Sequence, residues 1–176
     1  KGMMSMKMSY YLVVFDIETG KKIIDVPVES KSSEQLSLSS VSYVESTGEF
    51  MLMGEYYLEK DKPGVSRSQG FYMKTVDKTG KEKMKKFYSW SKDIKDKMPS
   101  AANESLEKGA MNYPHKMVRS ANGTIYIVCE QFTPGSALGA ISGVSNATVY
   151  NLIIFVINPD LTVKEIKFYE KTKNKV

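Results

Sequence analysis

Glu55 and Glu130 hold the same place in two stretches that align without a gap, residues 48–57 on residues 123–132. Two carboxyls at matched strand ends are the residue types that glycoside hydrolysis uses as acid and base or nucleophile. A glutamate at a strand end is also an ordinary solvated or salt-bridged group, and that plainer reading is preferred. Arg67, within Pro63-Gly64-Val65-Ser66-Arg67-Ser68, has the planar fork that grips a carboxylate or phosphate through two hydrogen bonds. Trp90 and Tyr113 bracket the longest connection of the chain, where aromatic rings can stack on sugars or peptides or pin the loop to its sheet. Gln131 follows Glu130 and joins the same group. His115 has no Gly-x-Ser-x-Gly elbow near it, and Cys129 sits in an apolar strand, so both are read as structural.

No catalytic, metal or cofactor signature emerges. One Cys rules out an internal disulfide, and with one His it also rules out the usual Cys/His zinc sets. The net charge is +5. Nine Lys against four acids between Lys74 and Lys97 account for it. Without interleaved Arg and aromatic residues this cluster reads as a solvated strand and loop, and a nucleic-acid partner is not expected. The uncharged stretch from Gln131 to Pro159 carries Gly135, Gly139 and Gly143 at four-residue spacing. Its continuous apolar part, Leu152 to Ile157, is far shorter than the roughly 20 residues of a membrane span, so no transmembrane segment is expected. Asn103, Asn122 and Asn146 head glycosylation-type triplets, a pattern that arises often by chance. The eleven Met read as core filling. The start at Lys1 points to an excised or processed piece, and no signal peptide is visible. The compartment stays open, with a secreted or cell-envelope setting preferred.

With 41% hydrophobic and 26% charged residues the chain is expected to fold, and its 176 residues suit one domain. The elements that must position these residues are hairpins of two kinds. The first kind spans Val41–Tyr57 and Lys116–Phe132, turning at Ser46-Thr47-Gly48 and Ala121-Asn122-Gly123. Asn-Gly is the strongest short hairpin signal, because Gly supplies the positive φ of the tight turn. The second kind spans Tyr10–Val28, Gly70–Trp90 and Tyr150–Glu170, with Asp or Asn at the turn entrance, where the side chain bonds the backbone ahead of it. The two kinds alternate along the chain.

In the second kind an apolar strand precedes a charged one. Leu12–Phe15 and Leu152–Ile157 are apolar on both faces, and Leu12–Ile17, Leu152–Ile157, Phe50–Tyr57 and Ile125–Phe132 are expected inside a sheet. Their partners carry Lys and Pro, among them Lys21, Pro27, Lys83, Lys85, Lys164 and Lys167. These residues protect open edges, so the partners are expected to be outer strands.

The fold expected is therefore all-β, an antiparallel meander of repeated hairpins. A hairpin of the first kind followed by one of the second, ending at an exposed edge, resembles the blade of β-propeller repeat proteins. The resemblance lies in architecture, since neither a Trp-Asp dipeptide nor kelch di-glycines are present. It implies about two and a half blades. Such a set cannot close alone, so it also implies self-association or continuation of the sheet in a longer chain. A single barrel or sandwich is the alternative.

In such a meander, successive connections alternate between the two ends of the sheet. The tight turns lie at one end and the long connections, 29–36, 59–69, 91–112 and 133–149, at the other. Long loops on a rigid scaffold are where binding groups are carried. The expected function is a non-enzymatic binding or scaffold module for a protein or glycan ligand at the long-loop end. Its candidate residues are Glu55, Arg67, Trp90, Tyr113, Glu130 and Gln131, with no catalytic residue, metal or cofactor. Part of a propeller-type glycan hydrolase is the alternative.

Overall fold

The computed structural model describes residues 9–28, 33–61, 66–133 and 147–175, apart from the side chains of residues 150 and 172–175. The long connections 29–36, 59–69 and 133–149 lie partly outside these residues, as do the glycines at 135, 139 and 143 and the triplet at Asn146.

The chain is all-β, and the described residues form three antiparallel sheets. Sheet 1 is the hairpin β1 (Tyr11–Phe15) and β2 (Lys22–Pro27). In sheet 2, β5 (Glu49–Tyr57) pairs on one side with β3 (Gln35–Leu36) and β4 (Ser40–Val44), and on the other with β6 (Gly70–Val76), which pairs with β7 (Glu82–Ser89). Sheet 3 is the meander β8 (Met111–Arg119), β9 (Ile125–Thr133), β10 (Thr148–Ile157) and β11 (Val163–Lys175). Among the described residues no sheet closes on itself, which sets aside a single barrel. Between β7 and β8 the chain makes a π-helical turn, Trp90–Ile94, a 3-10 turn, Lys95–Lys97, and helix α1, Ser100–Glu107.

The turns form for the reason their residues suggest. Asp16 Oδ1 accepts the backbone N–H of Glu18 and Thr19, Asp77 Oδ1 that of Thr79 and Lys81, and Asp160 Oδ1 that of Thr162. These bonds favour the ionised form, and the Thr79 hydroxyl and amide beside Asp77 hold its carboxyl down to about 2. The corner residue of the three turns has positive φ: 66° at Gly20, 84° at Gly80 and 66° at Leu161. Asn122 caps its own turn by accepting from Ser120 Oγ and Thr124 N.

Sheet 2 is the middle layer. Phe50, Leu52, Tyr72 and Val76 pack on Leu12, Val14, Ile24 and Val28 around sheet 1. Met51, Met53, Phe71, Met73 and Tyr88 pack on Met117, Ile125, Ile127, Cys129, Ile153 and Phe155 of sheet 3. Burying a side chain of this size contributes roughly 1.5–3 kcal/mol of transfer free energy, so this junction is the main core. Gly54 and Gly70 are needed for close approach, since a Cβ would sit 2.0 Å from the Ser37 carbonyl oxygen and 1.9 Å from that of Tyr88 respectively.

Strands β5, β9 and β10 are interior and β7 and β11 are outer, as their composition implies. The segment Leu12–Ile17 departs from expectation. It belongs to a two-stranded ribbon, with Val13 41% and Phe15 60% exposed and Ile17 at the turn tip. Its double-sided apolar character therefore does not mean cover on both faces. The Lys74–Lys97 cluster is also not uniformly solvated. Lys74 is buried with its Nζ 3.1 Å from Glu82, and Lys86 Nζ donates to the Leu161 carbonyl at 2.7 Å. No described helix is long and apolar enough to cross a membrane.

Candidate functional site

Three strands of sheet 3 place a carboxamide at the same level. Asn112 on β8 pairs with Gln131 on β9, which pairs with Asn151 on β10, so their side chains form a row on the face turned to sheet 2. All three are buried. Gln131 Nε2 donates to the Ala102 carbonyl of α1 at 3.0 Å, and its Oε1 accepts from Asn151 Nδ2 at 2.8 Å. Asn151 Nδ2 also lies 3.4 Å from Ser105 Oγ. Two carboxamides thus tie α1 to the sheet. The third does not: Asn112 is 3% exposed, and among the described residues neither its Nδ2 nor its Oδ1 has a hydrogen-bond partner. Leaving a buried polar group unpaired costs about 1–3 kcal/mol, so such a group needs a reason.

Asn112 lines a cavity of about 270 Å³ with Arg67, Ser68, Trp90, Leu106 and Met111 among its walls. Arg67 and Ser68 come from the β5–β6 connection, Trp90 from the start of the π-helical turn after β7, and Leu106 from α1. These are long connections of sheets 2 and 3 meeting beside the first residues of β8. Trp90 Nε1 donates to Ser68 Oγ at 3.0 Å, and its ring packs 5.3 Å from Phe71 and 5.9 Å from Phe155 between centroids. The indole is thereby held as a wall. The Ser68 side chain also hydrogen-bonds Glu55, whose Oε2 accepts from Tyr57 Oη at 2.9 Å. Burial raises the Glu55 carboxyl above its ordinary value, against the lowering effect of these two bonds. Arg67 is exposed at the rim.

Of the six residues proposed from sequence, the structure gathers Arg67 and Trp90 at this cavity, Glu55 behind Ser68, and Gln131 beside Asn112. Glu130 and Tyr113 lie on the opposite face of sheet 3. There Glu130 Oε2 is 3.0 Å from His115 Nε2 and its Oε1 binds Lys171. With Tyr113, Phe132 and Val149 it borders a separate hollow of about 230 Å³. Glu55 and Glu130 are equivalent along the chain, yet every sheet presents the same face to the next, so one faces sheet 3 and the other faces out. The geometry does not pair them, and the carboxylate pair behind the hydrolase alternative is absent from this site. Among the described residues no three His, Cys, Asp or Glu side chains come together as metal ligands. Cys129 is fully buried and burial pushes its thiol well up, which disfavours a nucleophilic thiolate.

Sequence reasoning missed Asn112, Asn151 and Ser68. The one available signal was a carboxamide at the loop end of each of three strands.

No curated protein and no solved structure matches the chain. The model of a family described as a family of unknown function, DUF6770, matches residues 1–176, and the chain belongs to that family.

Proposed function

We propose that the chain is a non-enzymatic binding module whose ligand occupies the cavity between sheets 2 and 3 at their long-loop ends. The observation that carries this reading is the unpartnered, buried carboxamide of Asn112 at a cavity rimmed by Arg67 and walled by Trp90. A ligand that offers both a donor and an acceptor would satisfy Asn112 once that side chain, whose amide atoms have no exposed surface, turns toward the cavity. The Arg67 guanidinium suits a carboxylate, held bidentately, and the indole suits the apolar face of a ring. At about 270 Å³ the cavity is slightly below the range of roughly 300–1,000 Å³ for drug-sized ligands. It suits a single small unit, such as a carboxylated sugar at the end of a glycan. The layering of sheets 1 to 3, each with a charged outer strand, supports the likeness to part of a β-propeller.

Trp90 is the only tryptophan, so its fluorescence reports on the cavity directly. Titration with glucuronate is expected to change the emission saturably, glucose to bind far more weakly, and Arg67→Ala and Asn112→Ala each to weaken glucuronate binding about tenfold or more. Saturable binding that is equally strong in both variants, or no response to any carboxylated sugar, would count against this reading.

A further inference from the structure

The chain makes one kind of inter-sheet junction twice. The second-kind hairpins are equivalent through their turns and registers: Leu12, Met73 and Ile154 correspond, as do Val26, Lys86 and Lys167, and Val28, Tyr88 and Tyr169. At the junction of sheets 1 and 2, the corner Gly80 lies against Val26, whose Cγ1 would be 2.7 Å from a Cβ at Gly80. At the junction of sheets 2 and 3, the corner Leu161 lies against the equivalent residue, Lys86, whose Nζ donates to the Leu161 carbonyl at 2.7 Å; Tyr88 Oη donates to the same oxygen at 3.0 Å. In both, the turn of the later sheet seats on the outer strand of the earlier one. The same step therefore relates sheet 1 to sheet 2 and sheet 2 to sheet 3.

Among the described residues this repetition leaves two unmatched halves of the same junction. On sheet 3 the outward face carries Leu152, Ile154, Lys167 and Tyr169, which correspond to Phe71, Met73, Lys86 and Tyr88. Phe71, Met73 and Tyr88 are 0–2% exposed under sheet 3, whereas Tyr169 is 50% exposed. On sheet 1 the outward face carries Tyr11, Val13 and Phe15, which correspond to Ile153, Phe155 and Ile157. The latter three are fully buried against sheet 2, and the former are 57%, 41% and 60% exposed. Even the polar clasp is repeated, since Lys167 and Tyr169 recur at the positions of Lys86 and Tyr88. The corner Gly20 has the same φ, 66°, as Leu161. Charge agrees as well. Asp160 stands by Lys86, which helps to lower its carboxyl, and the turn at Gly20 carries Asp16 and Glu18 where it would meet Lys167.

We infer that the outward face of sheet 3 docks sheet 1 of a second copy of this chain, head to tail, with the second copy's Gly20 turn seated on Lys167 and Tyr169. The contact uses different patches on the two partners, so it is heterologous. It closes into a ring if the repeated step closes, and extends otherwise. The inference is independent of any ligand in the cavity.

The test is sedimentation velocity over a concentration series with the 176-residue chain, the tail variant Tyr169→Asp and the head variant Phe15→Asp, with Tm as the check on folding. The wild-type chain is expected to associate as concentration rises. Each variant alone is expected to remain monomeric, because every contact needs one intact patch of each kind. An equimolar mixture is expected to form dimers that grow no further, since only one intact head and one intact tail are available. A monomeric wild-type chain at every concentration would overturn the inference and assign both faces to some other occupant, such as a different protein or further repeats. Association of either variant alone would overturn it in favour of a symmetric contact, and a monomeric mixture would also overturn it. Should Phe15→Asp lower Tm, Val13→Lys on the same exposed face takes its place with the same expected outcomes.

Discussion

The hydroxyl of Tyr88, on the outer strand of sheet 2, donates to the backbone carbonyl of Leu161 at 3.0 Å, joining two sheets across 73 residues of sequence. The ring stacks on Phe71 at 4.6 Å, with 14° between the planes. Leu161 takes a left-handed φ of 66°, a conformation that costs a non-glycine residue of order 1–2 kcal/mol. Its carbonyl is thereby aimed at Tyr88 and Lys86, and its side chain packs against the main core.

Tyr88→Phe keeps the stacked ring and removes one of two donors to that carbonyl. The expected loss of stability is about 0.5–1.5 kcal/mol, read from urea unfolding. Tyr88→Ala, which also opens a cavity, is expected to cost roughly 3–5 kcal/mol.

The carboxamide row predicts opposite outcomes for neighbours of similar burial. Asn112→Leu removes an unpaired amide and is expected to leave stability unchanged or raise it while abolishing ligand binding. Gln131→Leu strips the Ala102 carbonyl and the Asn151 amide of their partner and is expected to cost about 1–3 kcal/mol per group left unpaired. Equal destabilisation by both, in denaturant unfolding, would show that Asn112 is satisfied after all.

Burial raises the Glu55 carboxyl above 4.5, so between its unfolded and folded values the folded chain holds the extra proton. Stability contributed by this group is therefore present in full below about pH 4.5 and is lost as pH rises through the raised value. Glu55→Gln retains an acceptor for Tyr57 and Ser68 and removes the charge. The variant is expected to gain stability over the wild type as pH increases above that window and to show no such gain at lower pH, as measured by Tm against pH.

Hydrogen exchange separates the layers. Amides of β5, β6, β9 and β10 are expected to be slowest, since each of these strands is flanked on both sides and its exchange needs near-global opening. Those of β1 and β2 are expected to exchange markedly faster, because the ribbon is two-stranded and one face is open. Equal protection in β1 of the isolated monomer would contradict this.

Much of the fold was legible because turns and periods are local. Asp77, Asn122 and the glycines at 20, 48, 80 and 123 act within a few residues of themselves, and their positive φ values follow from residue type. Layering was not legible. The apolar runs at Leu12–Phe15 and Leu152–Ile157 look alike, yet one is an open ribbon and the other an interior strand, because cover depends on which sheet lands on which face. The same gap misled the glutamates: Glu55 and Glu130 share a repeat position, and only tertiary stacking separates them into different layers. Arg67 and Trp90 could be brought to one cavity from sequence alone because one lies within a long connection and the other borders one. Asn112 was not, since one carboxamide in a strand says nothing until its register against Gln131 and Asn151 is known.

Cys129 is the sole thiol, with 0% exposure in the main core between sheets 2 and 3. No reagent can reach its sulfur without parting those layers. Its alkylation rate is therefore a clock for separation of the sheets, running without any added label. A ligand seated in the nearby cavity, with walls from both sheets, should slow that clock in proportion to its occupancy.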